Sequence, residues 1–195
     1  TQPMTSRPIT KIYQDPLDLI WTNTAKQLGM KLTRSSEVFA AWDGKETLTI
    51  GSPEDLDADD SLAQMIFHEI CHAIVQGPGS MSQENWGLNN TDGRDDLREM
   101  ACIRLQAALA ENFGLKEFFA VTTDWRSYHD SLPSNPLTGD DDPALEIALE
   151  AHRRATSGPW AESISAALRA TQTIVAAAYP FSNQDSLFTS FHQGA

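Results

Sequence analysis

The sequence predicts an α+β fold: a mostly helical domain in which a small antiparallel sheet precedes the most apolar helix. The chain has 195 residues, 41% of them apolar and 21% charged, an ordinary composition for one globular domain. Residues 38–51 place β-prone residues on both sides of an Asp-Gly pair, and most other segments space their apolar residues as helices do. We therefore expect a single domain over residues 1–195, with the sheet and main helices in residues 15–113 and a helical C-terminal part in residues 114–195.

The first element is predicted to be a helix that runs from about Asp15 or Pro16 to Leu28. Proline is favoured in the first turn of a helix, and Gly29 follows as a common stop signal. The apolar residues between these ends recur at helical spacing, so they should form a buried face.

A short sheet is predicted next. Residues 38–42 and 47–51 form the two arms of a hairpin around Asp43-Gly44, a pair that favours a tight turn. Residues 31–33 add a further strand before the hairpin. We expect these strands to pair antiparallel.

The third segment is an apolar helix with clear boundaries. Asp59, Asp60 and Ser61 supply N-cap candidates and first-turn acids, which favour a helix N-terminus. A Gly77-Pro78-Gly79 run ends the helix. The segment between these signals is therefore predicted to be a buried helix.

This helix contains the motif His68-Glu69-Ile70-Cys71-His72, an HExxH pattern. Residues four apart lie on one face of a helix, so His68 and His72 can bind one metal ion. Two such histidines most often bind zinc, and the glutamate between them acts as general base on an activated water molecule. The motif predicts a Zn2+ site with Glu69 as the catalytic residue.

A catalytic zinc usually has three protein ligands, and Glu99 is the best candidate for the third. It begins an amphipathic helix predicted over residues 94–112. Asp95, Asp96 and His129 are alternative ligands, and one of the aspartates could instead support a ligand histidine. Glu99 could also be an ordinary first-turn acid on an exposed face.

At this point the chain resembles the zincin metallopeptidases and, within them, the gluzincins, which add a glutamate from a following helix to HExxH. The stretch Arg98-Glu99-Met100-Ala101-Cys102-Ile103-Arg104-Leu105-Gln106-Ala107-Ala108-Leu109 is similar to the glutamate helix of minimal ImmA/IrrE-type gluzincins. The likeness covers roughly residues 60–113. It implies a zincin-like domain in which residues 15–113 form the catalytic core and Glu99 is a zinc ligand.

The resemblance also implies roles outside the motif. An edge strand before the HExxH helix, such as Thr47–Gly51, would line the cleft and hold an extended substrate, although it could equally be a purely structural strand. Tyr128 and His129, at the end of a helix predicted over residues 115–130, are candidate stabilisers of the transition state. Aromatic residues in a helix are, however, more commonly part of the core.

The leading hypothesis is a zinc-dependent metallopeptidase that hydrolyses peptide or protein substrates. One alternative is a metal-binding regulatory or interaction module without general proteolytic activity. Another is a non-haem metal enzyme that uses the same two histidines and carboxylate. The sequence leaves the substrate and the oligomeric state open.

Composition limits partners and compartment. A formal charge of −13 argues against nucleic acid as a direct partner, and no apolar run is long enough for a membrane span. We expect a soluble protein, with the cytoplasm favoured over secretion. Cys71 and Cys102 each follow a candidate ligand by three residues, so they could form a disulfide or remain buried thiols.

Two further helices are predicted over residues 144–156 and 160–178, separated by Ser157-Gly158-Pro159. They should brace the part of the chain that contains the motif.

Overall fold

Helices make up most of the fold in the computed structural model, which describes residues 6–89, 91–139 and 141–192. The helices are α1 Pro16–Gln27, α2 Leu62–Gln76, α3 Asp96–Glu111, α4 Arg126–Asp130, α5 Ala144–Ser157 and α6 Ala161–Ala178. The strands are β1 Lys31–Ser35, β2 Ala40–Trp42 and β3 Thr47–Gly51. The predicted α+β class is confirmed.

The sheet is mixed, so the prediction of a purely antiparallel sheet is wrong. Its strand order is β1-β3-β2, and β1 pairs parallel with β3 while β2 pairs antiparallel with it. After β1 the chain crosses to the opposite side of the position that β3 will take, forms β2 there, and returns through the hairpin turn as β3. Strand β3 therefore runs antiparallel to β2 and parallel to β1. The edge strand expected at Thr47–Gly51 is therefore the central strand, and β2 is an edge.

The hairpin itself is confirmed around Asp43-Gly44. The Asp43 carboxylate accepts hydrogen bonds from the backbone N–H groups of Lys45, Glu46 and Thr47 at 2.8, 2.9 and 3.0 Å. Three donors on one carboxylate oxygen hold the turn closed, and they lower the pKa of Asp43.

Helix α2 lies at the centre of the fold because almost every residue in it is buried. Ser61 caps its N-terminus by accepting a hydrogen bond from the Gln64 backbone at 3.0 Å, and Gly77 ends it with φ +90°. Helices α1, α3 and α5 pack around it. The HExxH motif is therefore carried by the most tightly enclosed element.

An aromatic cluster joins α1 and α2 to the chain that follows α3. The rings of Trp21, Phe67 and Phe119 have centroids 5.1 to 5.5 Å apart. The Trp21 indole donates to Thr171 of α6 at 2.9 Å, so its buried N–H is satisfied. This cluster fixes α1 and α6 against the back of the motif helix.

The helix predicted over residues 115–130 is wrong for most of its length, because only Arg126–Asp130 is helical. Residues 118–121 are all at most 4% exposed. A surface helix would bury only one stripe of residues, whereas four consecutive buried residues require the chain to pass through the core. The helices predicted over residues 94–112, 144–156 and 160–178 are confirmed within a few residues at their ends. Across the described residues, none of these helices has the length and apolar character that crossing a membrane requires.

Candidate metal centre

Helices α2 and α3 bring His68, His72 and Glu99 together. The Glu99 carboxylate lies between the two imidazoles, with Oε1 3.2 Å from His68 Nε2 and Oε2 3.0 Å from His72 Nε2. The two rings are nearly perpendicular, with centroids 4.5 Å apart. Two nitrogens and two carboxylate oxygens therefore face one point, as the motif spacing and the first-turn position of Glu99 predict.

The three side chains are largely withdrawn from solvent. The exposed fractions of their side chains are 14% for His68, 6% for His72 and 14% for Glu99. Charges in such a place interact strongly because little water screens them. The donors nevertheless form part of a cleft wall, so a ligand can still reach them.

Gln106, two helical turns after Glu99 on the same face of α3, holds the His68 ring. Its amide oxygen lies 2.7 Å from His68 Nδ1, and its amide nitrogen donates to the Phe119 carbonyl at 2.6 Å. Because the second bond fixes the amide orientation, only an oxygen faces Nδ1, and Nδ1 must carry a proton. A neutral His68 then presents the lone pair of Nε2 to the centre, as a metal ligand requires.

His72 has no such support. Its Nδ1 is buried and has no hydrogen-bond partner among the described residues. The two ligand candidates thus differ, since His68 is anchored from α3 and His72 is held by packing and by Glu99.

The pKa shifts of His68 and Glu99 indicate whether this group of donors suits a cation. Burial alone would lower the pKa of His68, but the hydrogen bond and charge of Glu99 outweigh it and raise that pKa to about 9. Burial would likewise raise the pKa of Glu99, yet the two histidines hold it well below its usual range. The pocket therefore favours positive charge beside an ionised carboxylate. Two imidazoles and a carboxylate are also a common donor set for zinc, so these residues fit the ion.

Cys102 offers a rival third donor, since His68, His72 and Cys102 have ligand atoms within 4.8 Å of one another. Its Sγ lies 3.9 Å from His68 Nδ1, the nitrogen that Gln106 occupies. Burial raises the pKa of the Cys102 thiol well above its usual value, which disfavours the thiolate that a metal needs. We favour Glu99, which is ionised and faces both Nε2 atoms. Cys71 and Cys102 are both buried free thiols.

The Glu69 carboxylate is held by a tryptophan, Trp86, to which no sequence pattern assigns a role. The Trp86 indole donates to Glu69 Oε2 at 3.0 Å, and its ring stacks on Trp42 with centroids 4.7 Å apart and planes 9° apart. Trp86 is 2% exposed. A tryptophan in an otherwise polar stretch soon after the motif was the only sequence signal for this contact.

These side chains line a cleft with a volume of about 340 Å³. Phe39 and Ala40, at the start of the edge strand β2, form part of its wall. Asp95 and Asp96 also line it. A larger groove of about 820 Å³ lies between α1, β1 and α6, away from the histidines, and its lining lacks them. The smaller cleft, which contains the two histidines and Glu99, is therefore the candidate functional site.

The structure does not bring the two candidate stabilisers to this cleft. The Tyr128 hydroxyl accepts from Arg104 at 2.8 Å and donates to Asp142 at 2.7 Å, while Arg104 also pairs with Asp142 at 2.8 Å. Burial alone would raise the pKa of Asp142, but hydrogen bonds from Tyr128 and Arg104 lower it. Tyr128 thus belongs to a structural network. His129 is buried, and its Nδ1 lies 3.1 Å from Asp130.

Asp95 and a second set of donor groups have other partners. Asp95 accepts a hydrogen bond from the Asn89 backbone at 2.5 Å. Glu117, His129 and Asp130 form a second set of possible ligands, but Arg126 lies 3.8 Å from Glu117 and 2.9 Å from Asp130. A guanidinium already neutralises those carboxylates, so this set is a poor cation site.

Comparison with protein-family models, with curated proteins and with solved structures found no match for this chain. The interpretation of the site therefore depends on its own geometry.

Proposed function

We propose that this protein is a zinc-dependent metallopeptidase in which His68, His72 and Glu99 hold the metal and Glu69 is the general base. One observation carries the proposal: two imidazole nitrogens and a carboxylate converge at the wall of an open cleft, with a second carboxylate from the same motif beside them. The resemblance of the motif and its glutamate helix to the gluzincins supports the same assignment.

When bound, zinc supplies Lewis acidity, which polarises a water molecule and a peptide carbonyl. Glu69 accepts a proton as that water attacks and returns it to the leaving amine. The indole of Trp86 engages Oε2, so the other carboxylate oxygen remains for the proton transfer. Gln106 keeps the Nε2 lone pair of His68 directed to the centre.

The position of β2 suggests how a peptide would bind. β2 is an edge strand, and Ala40 at its start lines the cleft beside the catalytic carboxylate. The Trp42 backbone N–H on this edge already donates to the Asn85 side chain, so an extended peptide would add at Ala40 through main-chain hydrogen bonds, which would lay a scissile bond along the cleft. In this proposal β2 takes the role that the resemblance had suggested for Thr47–Gly51.

Metal analysis combined with a cleavage screen tests the proposal. Wild type, H72A, E99A, E69Q and the control C102A would be purified without added metal, loaded with zinc and incubated with a peptide library read by mass spectrometry. We expect zinc in wild type, E69Q and C102A, its loss in H72A and E99A, and cleavage by wild type and C102A.

Several results would contradict this assignment. Normal turnover by zinc-loaded E69Q would show that Glu69 is not the base. Loss of metal in C102A, with metal retained in E99A, would make Cys102 the third ligand instead of Glu99. Zinc binding without any cut peptide would favour the regulatory module, and iron in the purified protein would favour the non-haem enzyme.

A further inference from the structure

We propose that Trp86 is a positioning residue that fixes the Glu69 carboxylate for proton transfer, and that the β2 hairpin holds Trp86 in place. This inference rests on the proposed peptidase function. It begins from the 3.0 Å bond between the Trp86 indole and Glu69 Oε2. No other side-chain hydrogen bond to Glu69 is found among the described residues, so this indole is the donor that orients the carboxylate.

The acceptor distinguishes Trp86 from the other buried indoles. Trp21 donates to the hydroxyl of Thr171, and Trp42 donates to the Met81 carbonyl at 3.0 Å. Both acceptors are neutral, and both bonds tie elements of the core together. A hydrogen bond to an ionised carboxylate is roughly twice as strong as one between neutral groups. Trp86 alone of these three therefore aims its N–H at a reacting group.

The backbone at the turn that carries Trp86 is in an uncommon conformation. Asn85 and Trp86 have φ values of 49° and 61°, in the left-handed region that bulky residues rarely adopt. The bond from Trp86 to Glu69 is made from this left-handed turn.

The hairpin supplies the remaining contacts. The Trp42 backbone N–H donates to the Asn85 side chain at 3.0 Å, and the Trp42 ring stacks on Trp86. At the hairpin turn, a Cβ on Gly44 would lie 2.9 Å from the Glu84 backbone nitrogen, so the two turns are in direct contact. The strand that borders the cleft and the turn that orients Glu69 are thus one packed unit.

The Trp86→Phe variant removes the N–H donor and keeps an aromatic ring for stacking. With the zinc-loaded enzyme and a peptide that wild type cleaves, we expect kcat to fall about 10- to 100-fold, because a small misplacement of a reacting group has effects of this size. KM should change less than about 3-fold and zinc content should not change, since the ligands are untouched. The matched control is Trp21→Phe, which removes an equally buried indole N–H from a residue that does not line the cleft, and it should leave kcat near that of wild type.

A spectroscopic readout is independent of turnover. In two-dimensional ¹H–¹⁵N NMR of zinc-loaded protein, the Trp86 indole resonance is identified by its absence in Trp86→Phe. Replacing Glu69 by Gln should shift that resonance and leave those of Trp21 and Trp42 near their wild-type positions. If Trp86→Phe fails to fold, site-specific assignment in wild type serves the same comparison.

An unchanged kcat in Trp86→Phe would overturn the positioning role while the peptidase assignment stands. A Trp86 indole resonance that does not shift in Glu69→Gln would do the same. A loss of activity in Trp21→Phe equal to that in Trp86→Phe would also overturn it, because general destabilisation would then explain both. If wild type cleaves no peptide, the proposed function fails first and this role fails with it.

Discussion

Replacing Gln106 by Leu should weaken zinc binding without touching a ligand atom. Gln106 is 2% exposed and makes two hydrogen bonds, a partly buried one to His68 Nδ1 and a buried one to the Phe119 carbonyl. Leucine has a similar volume and neither polar atom. The change therefore removes the acceptor that selects the His68 tautomer and leaves the shape of the helix face nearly intact.

The structure sets the expected size of the effect. Loss of an outer partner of a ligand histidine typically lowers metal affinity about 10- to 100-fold. Two buried groups, an imidazole N–H and a carbonyl, also lose their partners. At about 1–3 kcal/mol for each unsatisfied group, the metal-free protein should lose roughly 2–6 kcal/mol of stability.

Zinc affinity would be measured by competition with a chelator, and stability by urea unfolding of the metal-free protein. Gln172→Leu is the matched control, because Gln172 also donates to a backbone carbonyl, that of Phe113, but at a distance from the metal centre. Zinc binding by folded Gln106→Leu that is as tight as that of Gln172→Leu and wild type would refute this role of Gln106.

Three further predictions concern stability, each measured by chemical denaturation. Thr171→Val should cost about 1–3 kcal/mol, because it leaves the buried N–H of Trp21 without an acceptor, and an effect no larger than that of the exposed Thr173→Val would contradict this. Asp142→Asn should cost about 1–3 kcal/mol at neutral pH, because a buried guanidinium loses its ion pair. The pKa of Asp142 is lowered in the folded protein, so the stability difference between wild type and Asp142→Asn should be largest above about pH 5 and shrink as the pH falls below about 4. A stability difference that does not change with pH would refute this. Gly44→Ala should destabilise by about 1–2 kcal/mol, because φ is +77° and the added Cβ meets backbone, and a neutral effect would show that the two turns can separate.

Local signals predicted the elements that carry the candidate site. The spacing of His68 and His72 and the caps around α2 depend on neighbours within a few residues, so sequence was sufficient for them. The Asp43-Gly44 hairpin is local in the same sense. Glu99 was more distant, but its position in the first turn of a following helix made it the natural third candidate.

Contacts between distant segments could not be predicted in this way. The order of the strands depends on which side of β3 the chain enters the hairpin, and no residue pattern encodes that choice. The apolar run at residues 118–121 is compatible with a helix or with a buried crossing, and only the neighbouring elements decide between them. Tyr128 was assigned to the cleft by resemblance, whereas its actual partners are Arg104 and Asp142, the first of which is itself on α3.

The residues that orient the motif lie outside it and come from two different parts of the chain. Gln106 reaches His68 across 38 positions, and Trp86 reaches Glu69 across 17. An HExxH pattern alone supplies the right atoms but neither the tautomer of the histidine nor the direction of the carboxylate. For that reason a chain that kept the motif and lost both Gln106 and Trp86 should still fold a similar helix, yet bind zinc weakly and transfer protons slowly. The proposed chemistry would therefore depend on how α3 and the turn that carries Trp86 pack against α2, as well as on the motif itself.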